Sequence, residues 1–300
     1  MPEQLVHSLK SADGKQKFFP VADQFLTLPG GYGLPPVEYN VWRGYKQSGA
    51  TVIDYEVQPR SIQVELNKKA ACGIQQYWDE RARLVDFLRP NRGGAFLLTL
   101  TLPDLTQRSI RVYLESGLEF APDPSLIVNG SIRERLSFIA YEPFWFDPLT
   151  THIEPAKSDG TAWVLPFQLP FALDIRGGKY DTTAIAYPGT WRAYPTITVY
   201  GAYTNVTIYH KQKGIRLQLN VGISTGQRRV ITTAPGIASV VDENGITRFG
   251  ELSHDSDLTG FALYPAPEVP DGLNQIVAYI INPSATTRFV VSFNTQYIGI

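Results

Sequence analysis

Alternation of polar and apolar residues with a period of two recurs along this chain, and helical spacing is clear in one segment only. Residues 61–66 alternate strictly, which is typical of a strand with one buried face. Other stretches are rich in β-branched and aromatic residues, which favour strands. These stretches cover residues 95–102, 108–114, 132–141, 196–200, 205–209, 215–221, 274–281 and 288–297. We therefore predict a mainly β fold built from packed sheets rather than from alternating βαβ units.

The helical segment covers residues 73–89. Its apolar residues recur at the i, i+3, i+4 spacing of one buried helix face, with Arg81 in the missing turn. The residues predicted to form that face are Ile74, Tyr77, Trp78, Leu84, Val85 and Leu88. Pro90 and the Gly93-Gly94 pair end the helix.

Two hairpins are predicted from turn residues between strands. Residues 103–106 (Pro-Asp-Leu-Thr) separate the strands 95–102 and 108–114. Residues 243–245 (Glu-Asn-Gly) separate 238–241 from 246–249, and Asn-Gly is the strongest short hairpin signal.

The length of 300 residues predicts two domains at about 150 residues each. Pro143, Pro148 and Pro155 interrupt any strand near the midpoint, and residues 158–160 (Ser-Asp-Gly) are loop-like. The boundary is therefore expected between Glu142 and Gly160. We assign residues 1–148 to an N-terminal domain and 149–300 to a C-terminal domain.

Charge and cysteine content exclude several classes of function. The chain has 27 Lys and Arg against 28 Asp and Glu, and no basic stripe that would bind nucleic acid. No apolar run approaches the ~18 residues of a membrane-spanning helix, so no membrane insertion is expected. The first residues lack the pattern of a secretion signal. Cys72 is the single cysteine, which excludes an internal disulfide and a cysteine-based zinc site.

No established catalytic motif is present, and we predict neither a catalytic residue nor a cofactor. Gly177-Gly178-Lys179 lacks the first glycine and the hydroxyl residue of a phosphate-binding loop. Residues 254–257 (His-Asp-Ser-Asp) offer two carboxylates, whereas calcium takes about six to eight oxygen ligands, so a capped turn is expected there and no metal site. The four histidines are far apart in sequence and are predicted to act separately: His7, His152, His210 and His254.

Two alternative functions stay open at this point. A carbohydrate-binding module would stack a sugar on an exposed Trp163 or Trp191. A cell-wall glycoside hydrolase would need two carboxylates across a groove. The candidates for that pair are Glu115, Glu119, Glu134 and Glu142.

The order of several segments resembles the distal tail proteins of long-tailed, non-contractile bacteriophages, the Dit family. In the first half the similar segments are residues 35–40, 49–54, 60–66, the helix 78–89 and the hairpin 96–102/110–114. Residues 141–147 (Tyr-Glu-Pro-Phe-Trp-Phe-Asp) are similar to the family's aromatic junction, with Glu142 in place of its usual aspartate. In the second half the similar segments are residues 194–199 with Gly201, 226–227, 242–245 and 271–274.

This resemblance implies a structural protein of the virion tail tip that is made in the host cytoplasm and is not an enzyme. It implies an N-terminal β-sandwich with one helix and a projecting hairpin, and a C-terminal galectin-like β-sandwich. Six copies would close a ring that joins the tail-tube protein to the tail-tip hub or tail-associated protein. The ring would position receptor-binding proteins, and DNA would only pass through its channel.

Overall fold

The computed structural model describes residues 7–11, 17–18, 24–27, 30–69, 74–89, 94–119, 131–158, 177–181 and 184–300. The chain divides into two compact units. Unit 1 comprises Met1–Pro148 and Tyr297–Ile300, and unit 2 comprises Leu149–Gln296. The chain therefore leaves unit 1 after Pro148 and returns to it for its last four residues.

The prediction of a mainly β fold is confirmed. In the first part of the chain the elements are β1 (His7–Lys10), β2 (Lys17–Phe18), β3 (Gln24–Thr27), β4 (Val37–Trp42), β5 (Thr51–Val57), β6 (Arg60–Lys69), α1 (Ile74–Phe87), β7 (Phe96–Thr101), β8 (Gln107–Gly117), β9 (Ser131–Ala140) and β10 (Trp145–Phe146). Seven of these strands pair in the order β2-β1-β7-β8-β9-β6-β3. Strand β10 pairs with β8 and with the C-terminal strand β23 (Gln296–Tyr297).

The core of unit 1 follows from alternation along the central strands. Leu98 and Leu100 of β7 and Ile62 and Val64 of β6 are buried, while the residues between them are more exposed. Helix α1 packs onto this sheet through Phe87, whose ring centroid lies 5.6 Å from that of Phe96. Each fully buried aliphatic or aromatic side chain stabilises the fold by about 1.5–3 kcal/mol.

The helix prediction is confirmed in position but wrong for part of the buried face. Leu84 and Leu88 are buried as expected, whereas Trp78 and Val85 are 45% and 46% exposed. Phe87 is buried instead, so the buried face is rotated towards it. Arg81 fills the turn between, where it forms a 2.5 Å ion pair with Glu134 of β9. The side chains of Ile74 and Tyr77 lie outside the described residues.

Unit 2 consists mainly of two five-stranded antiparallel sheets with one hydrophobic core between them. Its elements are β11 (Thr151–Ile153), β12 (Lys157–Ser158), β13 (Gly177–Asp181), β14 (Ile185–Ala186), β15 (Thr196–Tyr200), β16 (Asn205–His210), β17 (Ile215–Leu219), β18 (Arg228–Thr232), β19 (Ser239–Val241), β20 (Leu273–Asn274), β21 (Ile276–Ile281), β22 (Arg288–Phe293) and the first residue of β23. The sheets run β11-β22-β15-β18-β19 and β12-β13-β21-β16-β17. Val199 and Phe289 of the first sheet share a core cluster with Val206 and Ala278 of the second. This arrangement is a β-sandwich.

One of the two predicted hairpins is confirmed and the other is wrong in its second strand. Strands β7 and β8 pair across the turn at residues 103–106, from Phe96 opposite Val112 to Thr101 opposite Gln107. After β19 the turn is present, since Gly245 donates its backbone N–H to Asp242 O. The following residues form a bridge at Thr247 and then a short 3-10 helix, Phe249–Glu251, instead of a strand.

Candidate assembly surface

Strands β4 and β5 form a hairpin that pairs with no other strand among the described residues. We call residues 37–57 the exposed hairpin. Nearly every residue of both strands is exposed, and the pairing is antiparallel from Val37 opposite Val57 to Trp42 opposite Thr51. An isolated two-stranded hairpin is marginally stable in water at best, so packing against a partner would stabilise this element.

The exposed hairpin has one apolar and one polar face. Residues directly opposite each other in an antiparallel pair lie on the same face. The apolar face carries the pairs Val37/Val57, Tyr39/Tyr55 and Val41/Val52. The polar face carries the pairs Glu38/Glu56 and Asn40/Asp54. This is the pattern of a strand pair that buries one face, although here Val37 and Val57 are only half-buried and the other two pairs are 48–59% exposed.

More apolar surface lies beside these pairs. A register irregularity at Asn40/Val41 leaves Ile53 without a residue opposite it in the ladder, and its side chain is 69% exposed. Trp42 follows Val41 and therefore lies on the opposite face of the hairpin, where it is exposed, and Tyr45 at the tip is almost fully exposed. The apolar pairs and Ile53 leave a group of apolar side chains exposed on the folded chain, and such a group is typical of an interaction site.

The base of the exposed hairpin is anchored in unit 1. Gln58 donates its backbone N–H to Pro36 O at 2.8 Å, which closes the base. Arg60, at the start of β6, is buried and donates from its guanidinium to the backbone carbonyls of Gly31 (2.9 Å), Gly33 (3.0 Å) and Ile298 (2.6 Å). Burial lowers the pKa of Arg60 to about 10, so it stays charged at neutral pH. The segment before β4 is thereby tied to β6 and to the C-terminal residues.

The tip of the exposed hairpin is ordered by its own hydrogen bonds. Gln47 donates its backbone N–H to Gly44 O, and its side-chain oxygen accepts the backbone N–H of Gly44 at 2.8 Å. The side-chain amide of Gln47 also donates to Thr51 Oγ1 at 3.0 Å. Tyr45 is therefore presented on a defined turn rather than on a long loop.

The tryptophans considered for sugar stacking do not form an exposed platform in the described structure. Trp191 is half-buried and its backbone forms a bridge with Gln296. Trp163 and Cys72 lie outside the described residues.

The segment Gly177-Gly178-Lys179 is not a loop. It belongs to β13, which pairs with β21 over its whole length.

Three of the four carboxylates considered for hydrolysis have separate partners. Glu134 forms the ion pair with Arg81, and Glu142 pairs with Arg111 at 2.9 Å. Glu115 accepts a hydrogen bond from Ser137 Oγ at 3.2 Å. Glu119 is exposed beyond the end of β8. Nothing in these contacts pairs two of the carboxylates for acid–base work.

Residues 254–257 form a hydrogen-bonded turn. Asp257 accepts the backbone N–H of Gly260 at 2.8 Å, Ser256 accepts the N–H of Gln218, and Asp255 forms an ion pair with Arg216. Within the described ranges, no three His, Cys, Asp or Glu side chains are grouped so that they could hold a metal ion.

The described histidines have different surroundings. His152 contacts Ser292 Oγ, and His210 is buried against Asn274. His254 is exposed. The side chain of His7 lies outside the described residues.

Among the described helices, none has the length and apolar character needed to cross a membrane.

Sequence reasoning missed the exposed hairpin as an element. Its signal was present, because Val37, Tyr39 and Val41 alternate with Glu38 and Asn40. Alternation predicts that one face is buried, but it does not reveal that the described residues of the chain leave this face exposed.

The fold is similar to that of solved phage proteins over nearly the whole chain. The Dit protein (gp 19.1) of phage SPP1, described as a paradigm of the hub adsorption apparatus in phages that infect Gram-positive bacteria, has a TM-score of 0.63 at 15% identity and covers 97% of this chain and 99% of its own. A chain of the phage P2 baseplate in its activated conformation with Ca has a TM-score of 0.51 at 11% identity and covers 96% of this chain and 97% of its own. No protein-family model matches the sequence. No curated protein matches it either. The resemblance to distal tail proteins is thus confirmed at the level of the fold.

Proposed function

We propose that this chain is a distal tail protein, a non-enzymatic structural component of the tail tip of a long-tailed, non-contractile phage. The observation that supports this proposal most is the similarity to the SPP1 Dit protein, which covers 97% of this chain and therefore residues of both units. The protein is made in the host cytoplasm and is then built into the virion.

The proposal includes a ring of six copies. The ring joins the tail tube to the tail-tip hub or tail-associated protein, positions receptor-binding proteins, and leaves a channel through which DNA passes. A head-to-tail interface closes into a ring when its rotation divides the circle evenly. The near-neutral chain suits a channel wall, because tight phosphate binding would hinder the passage of DNA.

The exposed hairpin is the proposed contact between neighbouring copies. Its apolar face buries itself against the next protomer, and its outer strand edges, which pair with no other described strand, are available for pairing. The polar face, with Glu38 directly opposite Glu56, stays in contact with water because two like charges repel in a dry interface. This contact completes an element that is marginal in the isolated chain.

Light scattering on a sizing column tests the ring. Six copies of the 33.4 kDa chain have a mass of about 200 kDa, and negative-stain images of that species are expected to show rings. Ile53→Asp places a charge on the apolar surface and is expected to give a folded monomer.

A matched control is Ile237→Asp. Ile237 is 68% exposed in unit 2, nearly the same as Ile53. The two variants therefore make the same chemical change at equally exposed positions, and only Ile53 lies on the exposed hairpin. The control is expected to keep the ring. A wild-type protein that stays monomeric at every concentration, or a ring that survives Ile53→Asp, contradicts assembly through the exposed hairpin.

A further inference from the structure

Unit 2 has a surface groove on the outer side of the sheet β12-β13-β21-β16-β17. Along β16 the residues Val206, Ile208 and His210 face the core, so Thr207 and Tyr209 face outwards. The groove has a volume of about 550 Å³. It is lined by Thr207, Tyr209, His210, Lys211, Gly214 and Tyr279.

Two tyrosines form the apolar part of the groove. The rings of Tyr209 and Tyr279 are 5.8 Å apart between centroids at an interplanar angle of 79°. Tyr279 lies opposite Thr207 in the β16–β21 ladder and is 44% exposed. Tyrosine offers a rigid apolar ring and a polar hydroxyl, and its two side-chain torsions keep the entropy cost of binding low.

Hydrogen-bonding groups lie beside the tyrosines on the same face. In the ladder with β17, Gln218 lies opposite Thr207 and Arg216 lies opposite Tyr209. The side-chain amides of Gln218 and Asn205 both donate to Asn220 Oδ1, at 2.6 Å and 3.1 Å, so these planar groups are oriented before any ligand arrives. Each amide keeps further donor or acceptor capacity.

We propose that this face binds a carbohydrate. Pyranose rings carry a C–H face that packs on an aromatic ring and a rim of hydroxyls that needs both donors and acceptors, and this face supplies both kinds of contact. A volume of about 550 Å³ lies within the range of small-molecule sites and has room for a short oligosaccharide. The residues that line the groove include no carboxylate, so the site binds and does not hydrolyse.

Lys211 adds a cation at the groove, and a sugar that carries an acidic group gains an ion pair there that a neutral sugar lacks. Neutral and acidic glycans would both pack on the two tyrosines. Only an acidic glycan would lose affinity when the charge of Lys211 is removed.

Calorimetric titration of the full-length protein tests the site. The neutral arm uses tetrasaccharides of glucose, galactose and N-acetylglucosamine, and the acidic arm uses tetragalacturonate. Tyr279→Ala removes half of the aromatic platform, and Thr207→Arg fills the groove while both tyrosines remain. Lys211→Gln removes the cation. Thermal unfolding of each variant shows whether it is folded.

Tyr113→Ala is the matched control. Tyr113 is 42% exposed and forms a similar edge-to-face pair with Tyr141 at 5.5 Å, but it belongs to unit 1. We expect at least one probe to bind, with affinity reduced at least tenfold by Tyr279→Ala and by Thr207→Arg and unchanged by Tyr113→Ala. If Lys211→Gln lowers the affinity for tetragalacturonate but not for the neutral tetrasaccharides, the ligand of the groove is an acidic glycan. Binding to none of the probes, or binding that persists in both groove variants, overturns the proposal.

Discussion

Gly201 and Gly226 allow two effects of a glycine to be compared: a left-handed backbone and a lack of space for a side chain. Both residues have positive φ, +84° and +89°. A Cβ on Gly201 would lie 2.8 Å from Thr287 Cα and 2.9 Å from Thr286 O, whereas nothing lies within 4 Å of a Cβ on Gly226. We expect Gly226→Ala to cost about 1 kcal/mol of unfolding free energy for the left-handed backbone. Gly201→Ala is expected to cost a further 1–3 kcal/mol, because the colliding atoms are backbone.

Urea unfolding of the two variants measures this difference. Both residues belong to unit 2, so the same transition is compared. Equal losses for the two alanine variants would show that the chain around Thr287 moves aside at no cost.

His210 is a buried neutral histidine whose tautomer follows from its partner. Asn274 donates its side-chain N–H groups to Tyr264 O and Gly272 O, so its Oδ1 is the acceptor, and His210 Nε2 carries the proton at 2.9 Å. His210 Nδ1 is buried with no hydrogen-bond partner in the described structure. Burial lowers the pKa of His210, and nearby Lys213 lowers it further, while the bond to Asn274 opposes the shift.

This lowered pKa predicts acid-sensitive stability. Below about pH 6.5 the histidine gains a proton in the unfolded chain but stays neutral in the folded one, so stability falls as the pH decreases. The loss is up to about 1.4 kcal/mol per pH unit and ends once the pH passes below the folded pKa. His210→Gln keeps an N–H donor for Asn274 and does not titrate, so its unfolding free energy should vary less between pH 6.5 and 5.

The control for this measurement is His254→Gln, which changes an exposed histidine in a turn. It should retain the pH dependence of the wild-type protein. If His210→Gln and the wild-type protein have parallel stability curves, protonation of His210 does not cause the loss.

At the scale of elements, the exposed hairpin is expected to be the least protected part of unit 1 in a monomer. Its strands have one neighbour each among the described residues, whereas β7 and β8 lie inside the large sheet. In monomeric Ile53→Asp protein, the amides of β4 and β5 should exchange with opening free energies near 0–1 kcal/mol, far below those of β7 and β8.

Hydrogen exchange of the assembled wild-type protein completes the comparison. In the ring the same amides should become protected, because a neighbour covers the apolar face. Protection of β4 and β5 that is already complete in the monomer would show that the hairpin needs no partner.

The sequence predicts elements best where one face is buried within the chain. Strand β15 has the predicted bounds, Thr196–Tyr200, because its alternation and β-branched residues agree. The second strand of the 238–249 hairpin stops after the bridge between Val241 and Thr247. Beyond it Glu251 donates its backbone N–H to Arg248 O, and this 3-10 turn replaces the strand. Turn chemistry of this kind competes with strand pairing and is not visible in hydrophobic periodicity.

Local sequence patterns do not predict contacts between segments that are distant in the chain. The local sequence indicates only that Arg60 is a polar residue at the start of a strand. Its guanidinium nevertheless donates a hydrogen bond to the backbone carbonyl of Ile298, which is 238 residues away. The groove on unit 2 likewise joins Tyr209 and Tyr279 from strands far apart in sequence. Alternation places each tyrosine on a face of its strand, and only strand order places the two side by side.

At the scale of the whole molecule, unit 1 combines the first part of the chain with its last four residues. Arg60 donates to Ile298 O, the guanidinium of Arg108 lies 3.9 Å from the ring centroid of Tyr297, and Ile300 donates its backbone N–H to Tyr32 O at 2.9 Å. Deletion of Tyr297–Ile300 is therefore expected to destabilise unit 1 by about 2–4 kcal/mol, because a buried charge loses an acceptor and an arginine loses its aromatic partner.

Hydrogen exchange resolves this effect by unit. Amides of β6–β9 should lose protection in the deletion variant, while those of β15, β16, β21 and β22 in unit 2 should keep theirs and serve as the internal reference. Ile300→Ala is the control, because it shortens one side chain and keeps every backbone contact of the last residues. A uniform loss in both units, or no loss in unit 1, contradicts the role assigned to the C-terminal contacts. A loss limited to unit 1 means that its fold reaches full stability only after unit 2 has been synthesised.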